Sequence, residues 1–461
     1  MKELNRRQFL KWGAVAGTGA IFFPSMMGKA FAKSLIAPNE DPHFFLMITM
    51  PDASGLDNSY LFDARPTEMT KNGVIQNYRK TGEATPWLGS NGVSTLATDI
   101  VKPLLPFKSD FSVVNGTLMD IGFDGHEQNI NYLFTGDPFG GENFIPVLNH
   151  TSQKPKELDA ILRGRFAVNQ KNGSQTVPLS PSGAKNLVAA LKRIPPLDSQ
   201  SRLYQYLMYR FSANAAGTGG FSSASDMMKN SFGSTNHLAS MMAQINSDGA
   251  DTNEGFIKLV GQVFRTGAAK SGILVLDQFG FDTHDSAGAA KQPDMFAKLV
   301  ESLASVFSSL KSLPYDSTRS LLDVTTVMFC SEFSRTLRQS SRPIDDTGTD
   351  HNPLNNSIIL GGKGIRGGQV IGSSDYAIST EKLSPAHLIL DKNKLKAMGR
   401  PFDFDRGISR TDLPAEYKAA DYLGIGSVVN TIQSSFGVDR SHWRLTERNG
   451  VIAPVIKQLL S

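Results

Sequence analysis

The chain has 461 residues, a formal net charge of +4 and one cysteine, Cys330. A single cysteine excludes an intramolecular disulfide framework, so a chain of this length must be stabilised by a large apolar core. The first 32 residues hold five of the 47 Lys and Arg residues and one of the 43 Asp and Glu residues, leaving 42 of each in the remainder. A neutral remainder lacks the basic surface typical of proteins that bind nucleic acid or anionic lipid.

The N-terminal segment has the pattern of a twin-arginine export signal. Arg6 and Arg7 precede a short apolar stretch over 12–23, and a small-residue cleavage site follows at 30–32. A membrane anchor is the alternative, but the stretch is glycine-rich and shorter than the roughly 20 residues that a span requires. We predict a signal peptide over residues 1–32, contact with the twin-arginine translocase during export, and a periplasmic or secreted mature protein without a membrane span.

The beginning of the mature chain has the pattern of an α/β unit. Short apolar runs predict buried strands at 44–49 and 111–114, and a helix is expected over 127–134, ending at Gly136. We predict one domain over 33–461. Its middle, about 152–253, is expected to be a largely helical insertion or cap, with a separate domain as the alternative.

The last third predicts a helix that connects two strands of one sheet. Apolar residues repeat at helical spacing over 296–310, between strand-like runs at 273–276 and 326–330, and a further strand is expected at 357–360. With parallel strands on either side, this helix should cover one face of the sheet. The predicted fold is therefore α/β, with a mostly parallel central sheet flanked by helices.

Acidic and histidine side chains stand next to these predicted strands. Asp282 and His284 lie two residues apart after the first run, so an extended backbone would point both to one side, where they could bind a metal ion. The alternative is that this segment only caps a helix, with His284 on the surface. Asp350 and His351 lie in a turn-rich loop before the last strand, where Gly348 makes a backbone kink feasible.

Glu332 comes one residue after the second run, at the edge where parallel sheets expose functional groups. If a helical turn starts here, Glu332 and Arg335 share a face, and they could pair or Arg335 could bind a substrate anion. A structural salt bridge is the alternative. In the N-terminal half, Asp57, Asp63 and His126 lie where loops and helix starts converge on the same crevice, although each alone also fits a structural role.

The segment Gly362–Gly367 matches the letters of the dinucleotide-binding fingerprint. A strand-like run over 368–372 follows it, where that fingerprint requires a helix N-terminus. We therefore predict a hairpin turn and no nucleotide cofactor.

Several motifs together resemble the exported bacterial family called domain of unknown function 1501. They are Gly55-Leu56-Asp57, Asp63-Ala64-Arg65-Pro66, Gly125-His126-Glu127, Asp282-Thr283-His284, the segment from Ser331 to Thr336, Asp350-His351 and the glycines from Gly361 to Gly368. That family resembles the alkaline phosphatase and sulfatase superfamily, whose members hold one or two divalent metals at the carboxyl edge of an α/β sheet. The resemblance implies an alkaline-phosphatase-like core and metal roles for Asp57, Asp282, His284, Glu332, Asp350 and His351.

The resemblance also implies hydrolysis of phosphate or sulfate esters with the help of Zn, Mn or Ca. Arg335 would hold a small anionic ester substrate, and His126 would act as an acid-base group or a further ligand. The superfamily has an aspartate-histidine pair where this chain has Ser331-Glu332, and a nucleophile where this chain has Gly125-His126. Thr117 and Ser54 are weaker nucleophile candidates. The alternative is a non-catalytic envelope or secretion-associated binding protein that retains the fold.

Overall fold

The computed structural model describes residues 41–50, 61–63, 85–120, 122–123, 125–152, 156, 158–164, 245, 249, 251–276, 280–336, 348–375, 397–412, 417–446 and 450–461. The strands are β1 (Phe44–Thr49), β2 (Thr85–Leu88), β3 (Ser94–Ala97), β4 (Phe111–Val114), β5 (Leu158–Arg163), β6 (Ala269–Val275), β7 (Thr325–Cys330), β8 (Ser334–Arg335), β9 (His351–Asn352), β10 (Ile358–Gly362), β11 (Val370–Ile371), β12 (Ser374–Asp375), β13 (Met398–Gly399), β14 (Phe402–Asp403), β15 (Ile408–Ser409), β16 (Leu445–Thr446) and β17 (Val451–Ile452). The α-helices are α1 (His126–Thr135), α2 (Phe144–His150), α3 (Asn253–Thr266), α4 (Ser286–Ala289), α5 (Gln292–Ser312) and α6 (Ile425–Ser435). Short 3-10 helices span Asp99–Phe107, Leu322–Val324, Ala419–Asp421, Arg440–His442 and Lys457–Leu459.

A seven-stranded sheet forms the centre of the described structure, in the order β11-β4-β10-β7-β1-β6-β5. β1 pairs in parallel with β6 and β7, and β5 continues in parallel from β6. β10 is antiparallel to both of its neighbours, β7 and β4. The start of β10 therefore lies at the same edge of the sheet as the carboxyl ends of the parallel strands, which brings the residues before β10 to that edge.

Helices cover both faces of the sheet, as expected for a largely parallel sheet. The strands therefore carry apolar side chains on both faces. β1 shows the alternation: Phe44, Leu46 and Ile48 belong to one core cluster, and Phe45 and Met47 to the other. The first cluster includes the apolar faces of α3 and α5, and the second those of α1, α2 and α6. The result is a sheet between two helical layers. Among the described residues, no helix is both long and apolar enough to traverse a bilayer.

Local sequence explains where the main helices begin and end. The Thr252 side chain accepts a hydrogen bond from the backbone N–H of Gly255 and caps the start of α3, and α3 ends at Gly267 with a φ of 73°. α1 ends in the same way at Gly136, with a φ of 72°. α5 carries a proline in its first turn, where a missing N–H costs nothing.

Most of the predicted elements are confirmed. The strands predicted at 44–49 and 111–114 match β1 and β4 residue for residue, and the helix predicted over 296–310 is the central part of α5. Cys330 is buried, as expected for the only thiol of the chain. The predicted α/β class with a mostly parallel sheet between helices is thereby confirmed.

The hairpin turn predicted at 362–367 is wrong. β10 pairs antiparallel with β4, while β11 pairs in parallel with β4, so β4 lies between them. The glycine-rich segment therefore carries the chain across β4 instead of folding β10 back on itself. Gly362, Gly364 and Gly368 all have positive φ, which allows this tight path.

The predicted insertion over 152–253 falls mainly outside the described residues. Within it, Leu158–Arg163 forms β5, the edge strand of the central sheet, so this short stretch is part of the sheet. Asp57 and Ser54 also lie outside the described residues.

Candidate metal centre

Four segments converge at the edge formed by the carboxyl ends of the parallel strands. The segment 280–285 follows β6, the turn 331–336 follows β7, and the loop 348–352 precedes β10. α1 begins at His126 after the loop that leaves β4. Each segment delivers at least one acidic, imidazole or guanidinium group, which is how this class of sheet assembles a site.

The carboxylate of Asp282 is the centre of the cluster. Its Oδ1 lies 2.8 Å from Nε2 of His284, 3.5 Å from Nε2 of His126 and 3.7 Å from Nε2 of His351. The same oxygen accepts a hydrogen bond from Nη1 of Arg335 at 2.9 Å. Three imidazole nitrogens and one guanidinium therefore surround a single carboxylate oxygen.

The three imidazole rings also contact one another. The ring centroids of His126 and His351 are 4.3 Å apart, and those of His284 and His351 are 5.1 Å apart, both with edge-to-face geometry. The buried ring of Phe333 packs 4.8 Å from both His126 and His351. Because the Phe333 ring packs against two of the imidazoles, it limits how far either imidazole can rotate.

Glu332 lies behind His126, on the side away from Asp282. Its side chain is 0% exposed, and its Oε1 is 2.7 Å from Nδ1 of His126. The turn that carries Glu332 is held by two further contacts: Ser331 donates to the carbonyl of Phe333, and Nδ2 of Asn356 donates to the carbonyl of Ser331 at 2.8 Å. Glu332 thus has a fixed place in the site.

Arg335 lies below Asp282, with its side chain 0% exposed. In addition to the bond with Asp282, its Nε donates to Oγ1 of Thr349 at 2.9 Å and its Nη2 to the carbonyl of Thr349 at 3.3 Å. A helical turn after Glu332 does not form, because Ser334–Arg335 pairs as β8 with His351–Asn352. This geometry favours a role in positioning Asp282 over contact with a substrate anion.

A polar clasp joins the loop 348–351 to the segment that carries Asp282. The backbone N–H of Thr349 donates to the carbonyl of Thr283 at 2.7 Å, and the hydroxyls of Thr283 and Thr349 are 3.1 Å apart. Nε2 of Gln292, in the first turn of α5, donates to the Thr283 hydroxyl at 2.5 Å. Gly348 approaches so closely that an added Cβ would lie 2.3 Å from the Thr283 carbonyl oxygen. The clasp fixes the relative positions of the two loops.

The electrostatics of the cluster follow from this packing. The imidazoles of His126, His284 and His351 hold the pKa of Asp282 well below its usual range, and Arg335 acts in the same direction. Burial alone would lower the pKa of His126, but the carboxylates of Asp282 and Glu332 outweigh it and raise the value to about 9. Burial lowers the pKa of His351.

Two groups of side chains have the donor types and spacing that a metal ion requires. In each group the donor atoms lie within 4.8 Å of one another: His126, Asp282 and His351 in the first, and His284, Asp350 and His351 in the second. Within the described part of the chain, Nε2 of His126, Nε2 of His351 and Nδ1 of His284 are buried and have no hydrogen-bond partner. Buried imidazole nitrogens are normally hydrogen-bonded or metal-bound, so these three are candidate metal donors.

The structure brings together seven of the predicted site residues: His126, Asp282, His284, Glu332, Arg335, Asp350 and His351. Asp63 belongs to a separate network, where it accepts hydrogen bonds from Asn355 and Ser374. Sequence reasoning missed Phe333, Thr283 and Thr349. Thr283 and Phe333 lie inside the quoted motifs and Thr349 lies next to one, but residues of these types are common in any loop.

Comparison with known proteins agrees with the predicted resemblance. Residues 169–398 match the family described as protein of unknown function (DUF1501). The matched stretch includes the site residues from Asp282 to His351, while His126 precedes it. The description of the family states no function, and no curated protein matches the chain.

Residues 3–22 match the TAT (twin-arginine translocation) pathway signal sequence. The predicted export signal is thereby confirmed. The protein is exported by the twin-arginine pathway to the periplasm or beyond, and it engages the translocase during export.

Proposed function

We propose that this chain is an exported metal-dependent hydrolase of phosphate or sulfate esters, built on an alkaline-phosphatase-like core. One observation carries the proposal: Nε2 of His126 and Nε2 of His351 are both buried, lack a hydrogen-bond partner among the described residues, and face the same oxygen of Asp282. A polar atom left unpaired in the interior costs about 1–3 kcal/mol. A divalent cation bound by these atoms removes that cost.

The spacing of these donors fits a metal ion. Ligands placed about 2.0–2.1 Å from a tetrahedral zinc ion lie about 3.3 Å from each other. The corresponding distances from Oδ1 of Asp282 are 3.5 Å to His126 and 3.7 Å to His351. Small side-chain movements therefore suffice for His126, Asp282 and His351 to hold one ion, with His284 and Asp350 next to it for a second.

The chemistry of the donors favours Zn or Mn over Ca. Calcium takes six to eight oxygen ligands, whereas the described cluster offers three imidazoles among its donor groups. Imidazole with carboxylate suits first-row divalent metals. The guanidinium of Arg335 is fully buried and offsets the negative charge of Asp282.

A divalent cation held there would supply Lewis acidity and would lower the pKa of a bound water molecule. The residues of the chain orient the site: Arg335 holds Asp282, and Phe333 fixes the two imidazole rings. The Asp282 side chain is 35% exposed and that of His284 is 30% exposed, so the open side of the cluster lies beside these two residues. A small anionic ester would enter from that side.

A second candidate function is an exported cation-holding protein without catalysis. The observation that favours it is the position of Arg335, whose guanidinium is enclosed and bonded to Asp282 and Thr349. The expected nucleophile position, at the start of α1, is taken by Gly125 and His126. Such a protein would bind the same ion and turn over no ester.

Metal analysis of the exported, purified protein tests the first half of the proposal. We expect about one divalent ion per chain in the wild type and in His442→Ala, which changes an exposed histidine outside the cluster, and a strong loss in His351→Ala. Absence of a stoichiometric ion from the wild type would contradict the proposal.

Turnover of aryl phosphate and aryl sulfate tests the second half. Rates in the wild type that fall at least tenfold in His284→Ala and Glu332→Ala support a hydrolase. Equal trace rates in all three, with the ion still bound to the wild type, support the binding protein.

A further inference from the structure

The buried carboxylate of Glu332 contacts the imidazole of His126 at the nitrogen that faces away from Asp282. The Glu332 side chain is 0% exposed, and its Oε1 is 2.7 Å from Nδ1 of His126. A carboxylate is an acceptor at this distance, so the proton of the ring is held on Nδ1. The lone pair of a neutral His126 ring is then on Nε2.

That Nε2 points into the cluster. It lies 3.5 Å from Oδ1 of Asp282 and has no hydrogen-bond partner among the described residues. The His126 ring therefore stands between two carboxylates, with one nitrogen bonded to Glu332 and the other directed to the donors of the candidate metal site.

The mounting of Glu332 is rigid. One residue, Ser331, separates it from β7, and Nδ2 of Asn356 donates a hydrogen bond to the carbonyl of Ser331 at 2.8 Å. The following residue, Phe333, is buried under the His126 ring. Burying a carboxylate costs free energy unless the group is paired. The hydrogen bond between Glu332 and His126 contributes to offsetting that cost.

We propose that Glu332 is a positioning residue: it fixes the tautomer and orientation of His126 so that Nε2 binds the cation, and it is not itself a ligand. This inference rests on the proposed metal site, and it revises the ligand role that the sequence resemblance implied for Glu332. Carboxylates that orient a ligating histidine typically change metal affinity by about 10-fold to 100-fold when removed. The charge of Glu332 also makes the imidazole a better donor.

Zinc titration of the metal-stripped full-length mature protein tests the assignment. Glu332→Gln keeps the shape and a neutral acceptor, and we expect its dissociation constant for zinc to rise about 10-fold, at the low end of the range for such changes. Glu332→Ala removes the acceptor, and we expect a rise of about 100-fold. Asp159→Asn is the matched control, because Asp159 is a buried carboxylate 3.0 Å from Nε2 of His150, outside the cluster, and it should leave zinc affinity unchanged.

Histidine-selective ¹⁵N NMR of the zinc-loaded protein supplies a readout that a general loss of stability would not produce. In the wild type we expect zinc on Nε2 of His126 and a slowly exchanging proton on Nδ1, and we expect that proton signal to be lost in Glu332→Ala. Glu332→Gln, which is isosteric, keeps the test valid if Glu332→Ala fails to fold, since it should retain the signal with weaker zinc binding.

Two results would overturn the assignment. One is zinc on Nδ1 of His126 with Glu332 also coordinated; the other is a dissociation constant in both Glu332 variants within twofold of the wild type. A wild-type protein that takes up no zinc would overturn both this assignment and the proposed function. If both Glu332 variants bind zinc more weakly by the predicted factors but the wild type turns over no ester, the role of Glu332 is supported and the hydrolase is contradicted.

Discussion

Gly348→Ala should separate the two loops that carry most of the candidate ligands. An ideal Cβ at Gly348 would lie 2.3 Å from the carbonyl oxygen of Thr283, 2.4 Å from the carbonyl carbon of His284 and 2.4 Å from the backbone nitrogen of Asp285. All three neighbours are backbone atoms, so no side chain can rotate away. The loop 348–351 must move instead.

The size of the effect follows from these distances. Ordinary contact between non-bonded heavy atoms is about 3.5 Å, so the loops must part by about 1 Å. Overpacking of this kind costs about 1–3 kcal/mol, and the 2.7 Å bond from Thr349 N–H to the Thr283 carbonyl contributes about 1 kcal/mol more. We expect a loss of about 3 kcal/mol, or roughly 3 °C in Tm for a domain of this size. Disturbing the outer partners of metal ligands typically lowers metal affinity about 10-fold to 100-fold, and we expect a fall of that size in zinc affinity.

Differential scanning calorimetry and zinc titration of the purified protein measure both effects. Gly280→Ala is the matched control, because Gly280 begins the same segment and a Cβ there meets no atom of the described residues within 4 Å. It should melt and bind zinc as the wild type does. Wild-type zinc affinity in Gly348→Ala would refute the conclusion that close approach of the two loops builds the site.

Two further changes test the packing around and away from the site. Arg335→Lys should lower zinc affinity about tenfold and the free energy of unfolding by about 1–3 kcal/mol. The reason is that one ammonium group cannot donate to Asp282 and to both acceptors of Thr349. An unchanged zinc titration and an unchanged urea denaturation curve would contradict this. Burial and the nearby Lys270 and Lys363 lower the pKa of His43 from an ordinary 6.5 to about 3. The folded protein therefore keeps this ring neutral. The resulting contribution to the free energy of unfolding is fully present above pH 6.5 and is lost as the pH falls towards 3. At pH 5 the free energy of unfolding has fallen by about 2 kcal/mol for this reason. His43→Gln should not show this part of the fall when urea unfolding is compared at pH 7 and pH 5. Equal pH dependence in the variant and the wild type would contradict the prediction.

The sequence predicts where the strands and helices lie better than it predicts which strands pair. β1 and β4 are short apolar runs with polar or proline boundaries, and their bounds are confirmed residue for residue. The hairpin expected after Gly362 is wrong because glycines show where the chain can turn, while the insertion of β4 between β10 and β11 depends on distant residues. Pairing over such separations is not encoded locally.

The same division applies to the site. Acidic residues and histidines beside strand ends predict which residues meet, because strand ends share an edge of the sheet. The pattern does not say which nitrogen of His126 faces Asp282, nor that Arg335 is enclosed. Those facts depend on side-chain packing, such as the contact of Phe333 with two imidazoles.

Anomalous diffraction from crystals of the zinc-loaded mature protein tests the central claim most directly. We predict a peak about 2.0–2.2 Å from Nε2 of His126, a carboxylate oxygen of Asp282 and Nε2 of His351. Zinc bound only elsewhere, with these three side chains placed as described and no peak between them, would contradict the account.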